Sequence, residues 1–228
     1  DFVFSTVQTI NSDRHLKKFS PDDFDYIIID ETHRAGAATY KRVIDYFNPK
    51  FLLGMTATPE RTDGFDIFAL FNHNIAYEIR LQKAMEAELL SPFHYFGVTD
   101  ILVNGEALDE KSDFGKLISS DRVEHIIKTI DEYGCDTGNV RGLVFCSRVE
   151  EARELSNAFN SRGYKTLSIT GSDSENIRED AIQRLEANDD TKIDYIFTVD
   201  VFNEGVDIPR INQVVMLRPT TSAIIFVQ

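Results

Sequence analysis

Two acidic side chains directly follow a short apolar stretch in the first part of the chain. The letters YIIID at 26–30 predict a strand, and Glu31 and His33 come immediately after it. In α/β sheets, ligands bind beyond the carboxyl ends of the strands. A carboxylate there can hold Mg²⁺ against nucleotide phosphates, and a neighbouring carboxylate can orient or deprotonate a water molecule. Alternatively, Asp30 caps a helix that has Glu31 in its first turn, and these letters alone favour neither interpretation.

A pair of hydroxyl side chains follows the next apolar stretch, FLLGM at 51–55. Thr56 and Thr58 lie where that predicted strand ends, and Pro59 stops the strand. Short hydroxyl groups at such a place can connect a γ-phosphate sensor to a neighbouring binding surface through hydrogen bonds. By themselves, the same four letters TATP also fit an ordinary transition from strand to turn.

Short apolar stretches alternate with amphipathic stretches along the chain. Strands are predicted at 2–6, 26–30, 51–58, 76–79, 94–98, 142–146, 166–170, 195–199 and 214–217. Helical spacing of apolar residues predicts helices at 40–47, 123–133, 152–159 and 177–185. Near-continuous apolar strands between helices indicate parallel sheets covered on both faces. We therefore predict an α/β fold.

The stretch 100–120 interrupts this alternation, because it is polar and acidic and has no long apolar face. We interpret it as an acidic linker between two α/β halves, 1–99 and 121–228. The alternative is a surface insertion within one larger sheet. Neither the first residue, Asp1, nor the apolar last residues resemble a natural chain end, so we expect a fragment of a longer protein.

The charge of the chain bears on its partners. Among 228 residues, 38 are acidic and 24 are basic, and the formal net charge is −14. This balance argues against a nucleic-acid-binding protein, whose usual mark is a basic surface. Such a protein is compatible with it only if basic and polar groups converge on one channel while the acidic groups lie elsewhere.

The two cysteines bear on a zinc site and on the redox compartment, and the hydropathy bears on membrane association. Cys135 and Cys146 form no CxxC pair, which argues against a zinc site and fits a reducing cytoplasm. Cys146 ends an apolar run and is expected to be a buried, unreactive thiol. No apolar run approaches the length of a membrane span, so we expect no membrane partner.

Seven stretches follow the motif order of superfamily 2 helicases and translocases. DETH (30–33) resembles the DExH form of motif II, and TATP (56–59) resembles motif III. Residues 5–9 resemble motif Ib, residues 144–152 resemble motif IV, and residues 169–180 resemble the segment after motif IV. Residues 197–209 resemble motif V, and residues 218–228 resemble the start of motif VI. The resemblance spans nearly the whole chain and is strongest to the motor subunits of type I and type III restriction enzymes. Each motif is weak alone, but their order is specific.

The resemblance implies two RecA-like domains, the first truncated at its N-terminus, that use ATP and Mg²⁺. Asp30 would hold Mg²⁺, Glu31 would be the catalytic base, and His33 would contact a glutamine of motif VI. The remaining nucleotide-linked residues that the resemblance implies are Thr56, Thr58, Gly205, Asp207 and Gln228. Of these, Gln228 matches the partner of His33, and the two threonines would relay the nucleotide state to the nucleic acid.

The resemblance also implies backbone contacts to nucleic acid, most of all to double-stranded DNA, because a motor must tolerate any sequence. The matching residues are Thr6, Gln8, Arg61, Ser147, Arg148, Thr170, Gly171 and Thr198. For each residue alone, a surface or capping role is equally compatible with the sequence. A nuclease or other domains on the same longer chain are also compatible with this branch of the family.

The chain departs from the family pattern in two places. It contains no P-loop sequence, GxxxxGK[ST], and the arginine finger expected after Gln228 is not part of it. We therefore expect the longer protein to hydrolyse ATP and this piece alone to be inactive. The alternatives are a non-hydrolysing nucleic-acid-binding or assembly module with the same fold, and an unrelated α/β nucleotide-binding enzyme.

Overall fold

The computed structural model describes residues 2–36, 38–59, 66–103, 106–107, 112–202 and 206–217. The chain forms two compact units, and the boundary between them falls between His94 and Tyr95. The predicted division into 1–99, a linker at 100–120 and 121–228 stays a prediction.

The first unit is built on a parallel pair of strands. Strand β1 is Tyr26–Ile29 and strand β2 is Phe51–Gly54, with Tyr26 opposite Phe51 and Ile29 opposite Gly54. The crossover between them contains helix α3, Ala38–Tyr46, as parallel strands require. The shorter helices are α1 at Val7–Ile10, α2 at Asp13–Leu16, α4 at Leu81–Glu86, and 3₁₀ turns at Thr32–Arg34 and Ile67–Phe71.

Aromatic packing fixes α3 against the segment that enters β1. The Phe24 ring lies 5.0 Å from the Phe19 ring and 5.2 Å from the Phe47 ring, measured between centroids. The hydroxyl of Tyr46 donates a hydrogen bond of 2.8 Å to the carbonyl of Phe19. Edge-to-face and tilted contacts of this kind stabilise beyond the apolar area that they bury. The end of α3 is therefore held close to the start of β1.

The second unit contains a four-stranded parallel sheet. Before it come a short antiparallel pair, β3 at Leu102–Val103 and β4 at Glu106–Ala107, and helix α5 at Phe114–Leu117. The sheet strands are β5 at Gly142–Phe145, β6 at Thr166–Ile169, β7 at Tyr195–Thr198 and β8 at Gln213–Met216, in the spatial order β6-β7-β5-β8. The helices are α6 at Ser120–Tyr133, α7 at Val149–Asn160 and α8 at Glu175–Glu186.

Both faces of this sheet are covered, as the apolar strands predict. On one face, Val144 and Phe197 pack with residues of α6 and α7, including Phe159, which is completely buried. On the other face, the alternate strand residues Leu143 and Ile196 pack with α8. Alternation of side chains along each strand produces these two separate cores. The predicted α/β class with parallel sheets flanked by helices is confirmed.

Three of the predicted strands are wrong. Residues 2–6, 76–79 and 94–98 form neither strand nor helix. Alternating apolar letters favour extended backbone, but a strand also needs a neighbour that pairs with its N–H and C=O groups. In the described part of the chain no strand pairs with these stretches, and Phe2 and Phe4 are each 93% exposed.

A buried ion network joins the start of the second unit to its sheet. Arg122 of α6 is 1% exposed and donates to Glu151 Oε1 at 2.7 Å, to the Leu117 carbonyl at 2.7 Å and to Asp100 Oδ2 at 2.8 Å. Burial alone would lower the pKa of Arg122, but its hydrogen bonds to Glu151 and Asp100 raise it, so the guanidinium stays charged. The other oxygen of Glu151 accepts from the N–H of Ser147 at 2.8 Å.

Candidate nucleotide and nucleic-acid sites

The acidic pair lies at the carboxyl end of β1. Asp30 is exposed, and one of its oxygens accepts a hydrogen bond of 3.0 Å from the backbone N–H of Glu31. Glu31 has φ 50° and ψ 48°, a left-handed conformation that costs a non-glycine residue about 1–2 kcal/mol. Its side chain makes no capping hydrogen bond to the 3₁₀ turn that it precedes. Helix capping therefore does not explain this pair, and such backbone strain is typical of functional sites.

Thr32, which the sequence analysis did not single out, fixes the position of the acidic pair. Its side chain is completely buried, its N–H donates to the Met55 carbonyl at 2.9 Å, and its hydroxyl donates to the Ile29 carbonyl at 2.9 Å. The ends of β1 and β2 are thereby joined. Gly54 permits this approach, since a Cβ there would lie 2.7 Å from the Thr32 hydroxyl and would clash with the Phe71 ring.

The two groups predicted from YIIIDETH and TATP meet in space. His33 Nδ1 lies 3.1 Å from Thr56 Oγ1 and 3.1 Å from Glu31 Oε2. The backbone N–H of Thr58 donates to Thr56 Oγ1 at 3.1 Å. His33 and Thr58 are buried, with 8% and 7% of their surfaces exposed. The hydroxyl of Thr56 is thus shared between the histidine and the turn after β2.

Proton placement at His33 decides how Glu31 can act. If Nδ1 carries no proton, it accepts a hydrogen bond from the Thr56 hydroxyl, and Glu31 Oε2 then faces a lone pair instead of a donor. Consistent with this arrangement, Glu31 Oε2 is buried and forms no hydrogen bond with any described residue. An acceptor oxygen left without a donor costs free energy, and a water or substrate proton would satisfy it. Glu31 is therefore placed to accept a proton.

Asp30 is the described residue at this end of β1 that best fits a magnesium ion. Mg²⁺ prefers oxygen ligands and is commonly held by one or two protein carboxylates together with substrate phosphates. The Asp30 carboxylate is exposed, and one of its oxygens is bonded only to the neighbouring N–H of Glu31. Among the described residues there is no cluster of three or more acidic, histidine or cysteine groups that could hold a metal ion by itself.

In the second unit, predicted nucleic-acid contacts gather at one edge of the sheet. Phe145 of β5 and Ile169 of β6 both lie in register with Thr198 of β7, so these parallel strands end side by side. The loops that leave this edge contain Ser147, Arg148, Thr170 and Gly171. The structure therefore brings all five predicted contacts of this unit to one carboxyl edge, where α/β sheets bind ligands.

These five residues differ in what they present to solvent. Thr170 and Thr198 are 3% and 0% exposed, and their hydroxyls bond internally, to Asp173 Oδ2 at 2.9 Å and to the Val201 carbonyl at 3.3 Å. They shape the loops instead of reaching outward. Gly171 is exposed, and Arg148 is half-buried with its guanidinium donating to the Ser112 carbonyl at 2.9 Å.

The remaining predicted residues are divided between described and undescribed parts of the chain. Thr6 and Gln8 are exposed at the start of α1, and the Thr6 hydroxyl accepts from the Thr9 N–H at 3.3 Å as a helix cap. Asp207 is exposed after β7. Arg61, Gly205 and Gln228 lie outside the described residues.

The structure bears on two expectations, the burial of Cys146 and the lack of a membrane-spanning segment. Cys146 is completely buried, which confirms that expectation, and burial raises the pKa of its thiol well above the usual value. None of the helices in the described ranges combines the length and the apolar character of a membrane span.

Two family models match the chain. Residues 1–61 match the family "Type III restriction enzyme, res subunit", and residues 121–228 match "Helicase conserved C-terminal domain". A type I restriction enzyme EcoAI endonuclease subunit from Escherichia coli is 28% identical over 167 residues, covering 63% of this chain and 20% of that protein. A Saccharomyces cerevisiae protein, provisionally named ATP-dependent helicase IRC3, is 26% identical over 243 residues, covering 100% of this chain and 34% of that protein.

A solved structure shares the fold. The ATP-dependent type ISP restriction-modification enzyme LlaBIII, solved bound to DNA, superimposes with a TM-score of 0.65 at 18% identity, covering 98% of this chain and 18% of that one. The chain spans less than half the length of the first curated relatives that it matches, from 20% to 44%. Family models, relatives and fold agree with the motif order in the sequence. Residues 1–61 and 121–228 thus resemble the two halves of a superfamily 2 helicase core of the kind found in restriction enzymes.

Proposed function

We propose that the chain belongs to a longer protein that hydrolyses ATP to move along or unwind nucleic acid. The observation that carries this proposal is the meeting of Asp30, Glu31, His33 and Thr56 at the ends of β1 and β2, with one buried Glu31 oxygen lacking a hydrogen bond. A carboxylate without a donor, next to an exposed carboxylate, suits water activation beside a nucleotide.

The roles of the side chains follow from their positions. Asp30 would hold Mg²⁺, which when bound neutralises charge on the phosphates. Glu31 accepts the proton of the attacking water at Oε2. His33 Nδ1 lies 3.1 Å from Glu31 Oε2 and accepts from the Thr56 hydroxyl, which in turn accepts from the Thr58 N–H. A change at the carboxylate is thereby transmitted to the turn after β2.

Duplex DNA is the proposed track. The family relation to restriction enzymes favours it, and the LlaBIII enzyme, which shares the fold, was solved bound to DNA. The loops after β5 and β6 contribute the half-buried Ser147 and Arg148 side chains and the exposed backbone of Gly171, groups of the kind that bind phosphates without reading bases. The unpaired cysteines favour a reducing compartment, the cytoplasm.

A non-hydrolysing binding module is the second candidate, because the 228 residues contain no P-loop sequence. We propose that the longer protein supplies this phosphate-binding loop. The two candidates differ in one property, which is steady turnover of ATP by the longer protein.

ATP hydrolysis by the longer protein, with and without duplex DNA, tests the proposal. We expect DNA to stimulate turnover and Glu31→Gln to lower it by at least about 100-fold, because removal of a general base has effects of that order. Glu88→Gln, at an exposed position of the same unit, is the matched control and should leave turnover unchanged. No ATP turnover by the unaltered longer protein would favour the binding module instead.

A further inference from the structure

A cluster of basic side chains lies on the first unit, in a chain whose net charge is −14. Lys17, Lys41 and Arg42 line one cleft, and Arg14 and Lys18 flank Lys17 in the sequence; we call these five residues the basic cleft. Arg14, Lys17 and Lys18 lie on α2 or directly after it, and the other two lie in the first half of α3. All five are exposed. Two stretches separated in sequence therefore present cations from neighbouring helices.

The two helices form one cleft. Lys17, Lys41 and Arg42 line it together with Asp45, above a floor that includes the buried Leu16. Arg42 crosses between the helices, because its guanidinium pairs with Asp13 of α2 and donates to the Asn11 carbonyl at 3.0 Å. The position of the Arg42 guanidinium is thus fixed by its pairing with Asp13 and by a bond to the backbone.

The positive charge of the cleft exceeds the local negative charge. The acidic groups that face it are Asp13 and Asp45. The Arg42 guanidinium and Lys17 hold the pKa of Asp13 below its usual value, so this carboxylate is ionised and engaged. By contrast, Arg14, Lys18 and Lys41 form no ion pair with any residue that the structure describes.

The next acidic residues along the chain are engaged elsewhere. The Asp22 side chain accepts from the Asn48 amide at 3.1 Å. The Asp23 side chain accepts from the Ser20 N–H at 2.8 Å, and Asp25 pairs with Lys50 at 2.7 Å. These carboxylates are bound to groups outside the cleft, so three cations remain available to an external anion.

The cleft adjoins the proposed DNA contacts of the first unit. Arg42 bonds to the carbonyl of Asn11, the residue that ends α1, and α1 packs against α3. Thr6 and Gln8, at the other end of the same short helix, are the exposed residues that match the strand track. A phosphate backbone that contacts α1 can therefore continue over the cleft.

We propose that the basic cleft binds the sugar-phosphate backbone of duplex DNA, as an extension of the track along which the motor moves. This inference rests on the proposed function. An acidic protein surface is a weaker candidate, because protein interfaces are depleted of lysine and enriched in aromatic residues at their centre. Three of the five cleft cations are lysines, and none of the large, strongly exposed apolar side chains lies in the cleft.

The salt dependence of DNA binding tests the cleft without any nucleotide. The variant Arg14→Ala/Lys18→Ala/Lys41→Ala removes the three cations that lack ion pairs and keeps Arg42 and Lys17, which pair with Asp13. The control Arg153→Ala/Lys128→Ala/Lys83→Ala removes three exposed cations of the same types elsewhere and changes the net charge equally. Binding of a labelled duplex of random sequence to the 228-residue chain is measured between about 50 and 200 mM salt.

We expect the logarithmic slope of affinity against salt to become shallower by about 0.9 for each phosphate contact removed, which is about 2.7 for the cleft variant. The control variant should keep a slope close to that of the unaltered chain. Equal slopes for the two variants would overturn the proposal. Binding of poly-glutamate, which stands in for an acidic protein surface, is measured in parallel. If the cleft variant lost poly-glutamate binding but kept DNA binding, the partner would be an acidic protein and the proposal would be wrong. Absence of DNA binding by the unaltered chain would instead contradict the proposed function itself.

Discussion

Three features surround or shape the Glu31 side chain. Its backbone is turned by a left-handed conformation, Thr32 anchors the turn to β2, and His33 holds Nδ1 at 3.1 Å from its carboxylate. The sequence predicted the acidic pair at the end of one strand and Thr56 at the end of the next, but not the contact between His33 and Thr56. The left-handed residue and the anchoring role of Thr32 could not be predicted, because both depend on a tertiary contact with Met55.

Replacement of Thr56 tests the link between the carboxylate and the turn. Thr56→Val keeps the shape but removes the hydroxyl that His33 and the Thr58 N–H share. The loss of about two hydrogen bonds, each contributing about 0.5–1.5 kcal/mol, predicts about tenfold lower DNA-stimulated ATP turnover by the longer protein. Thr56→Ser retains the hydroxyl and should keep most of the stimulation. Full stimulation in the valine variant would show that the hydroxyl transmits nothing.

At the level of elements, the helices followed from the sequence more reliably than the strands. All four predicted helices are present as α3, α6, α7 and α8, each starting earlier than its apolar residues indicate. Their first turns are mainly polar, so the apolar spacing does not mark where the helices start. The stretches 2–6, 76–79 and 94–98 looked equally strand-like, but pairing depends on neighbours that local letters do not specify.

The network around Arg122 could not be predicted from the sequence, because its members are far apart in the chain. It connects Asp100, the end of α5 and the loop that begins at Ser147. Glu151 has no exposed surface and serves as acceptor for both Arg122 and the Ser147 N–H. The network thus positions one of the loops that carry the proposed DNA contacts.

Removal of one partner from this network should destabilise the second unit strongly. Arg122→Met leaves the buried Glu151 charge unpaired, which predicts a loss of about 3–5 kcal/mol in the free energy of unfolding, measured by urea denaturation. Arg122→Met/Glu151→Gln should recover part of this loss, since no buried charge then remains without a partner. Lys128→Met, on the exposed side of the same helix, is the control and should change little. Equal stability of Arg122→Met and the control would contradict a buried pair.

At the scale of the whole molecule, the acidic composition hides a local distribution of charge. A net charge of −14 argued against a nucleic-acid partner unless basic groups converge, and the basic cleft is one place where they do. The order of the motifs predicted a resemblance to superfamily 2 helicases, and the two family models that match residues 1–61 and 121–228 agree with it. The roles of Arg61, Gly205 and Gln228 stay predictions, as these residues lie outside the described ranges.

The sequence also predicts what this piece cannot do alone. The 228 residues contain no P-loop, and an arginine finger can contribute about 10³–10⁵ in rate to phosphoryl transfer. We therefore expect no steady ATP turnover from the purified chain, with or without duplex DNA, in a coupled phosphate-release assay. Turnover that depends on DNA and persists after further purification would contradict this expectation.

Movement along DNA is the property that most directly tests the motor. The measurement is displacement of a labelled third strand from a triplex site on duplex DNA by the longer protein, compared with its Glu31→Gln variant. We expect displacement that requires ATP and is abolished in the variant, although the variant still binds the duplex. ATP-independent displacement, or displacement by the variant at the unaltered rate, would contradict an ATP-driven motor whose catalytic base is Glu31.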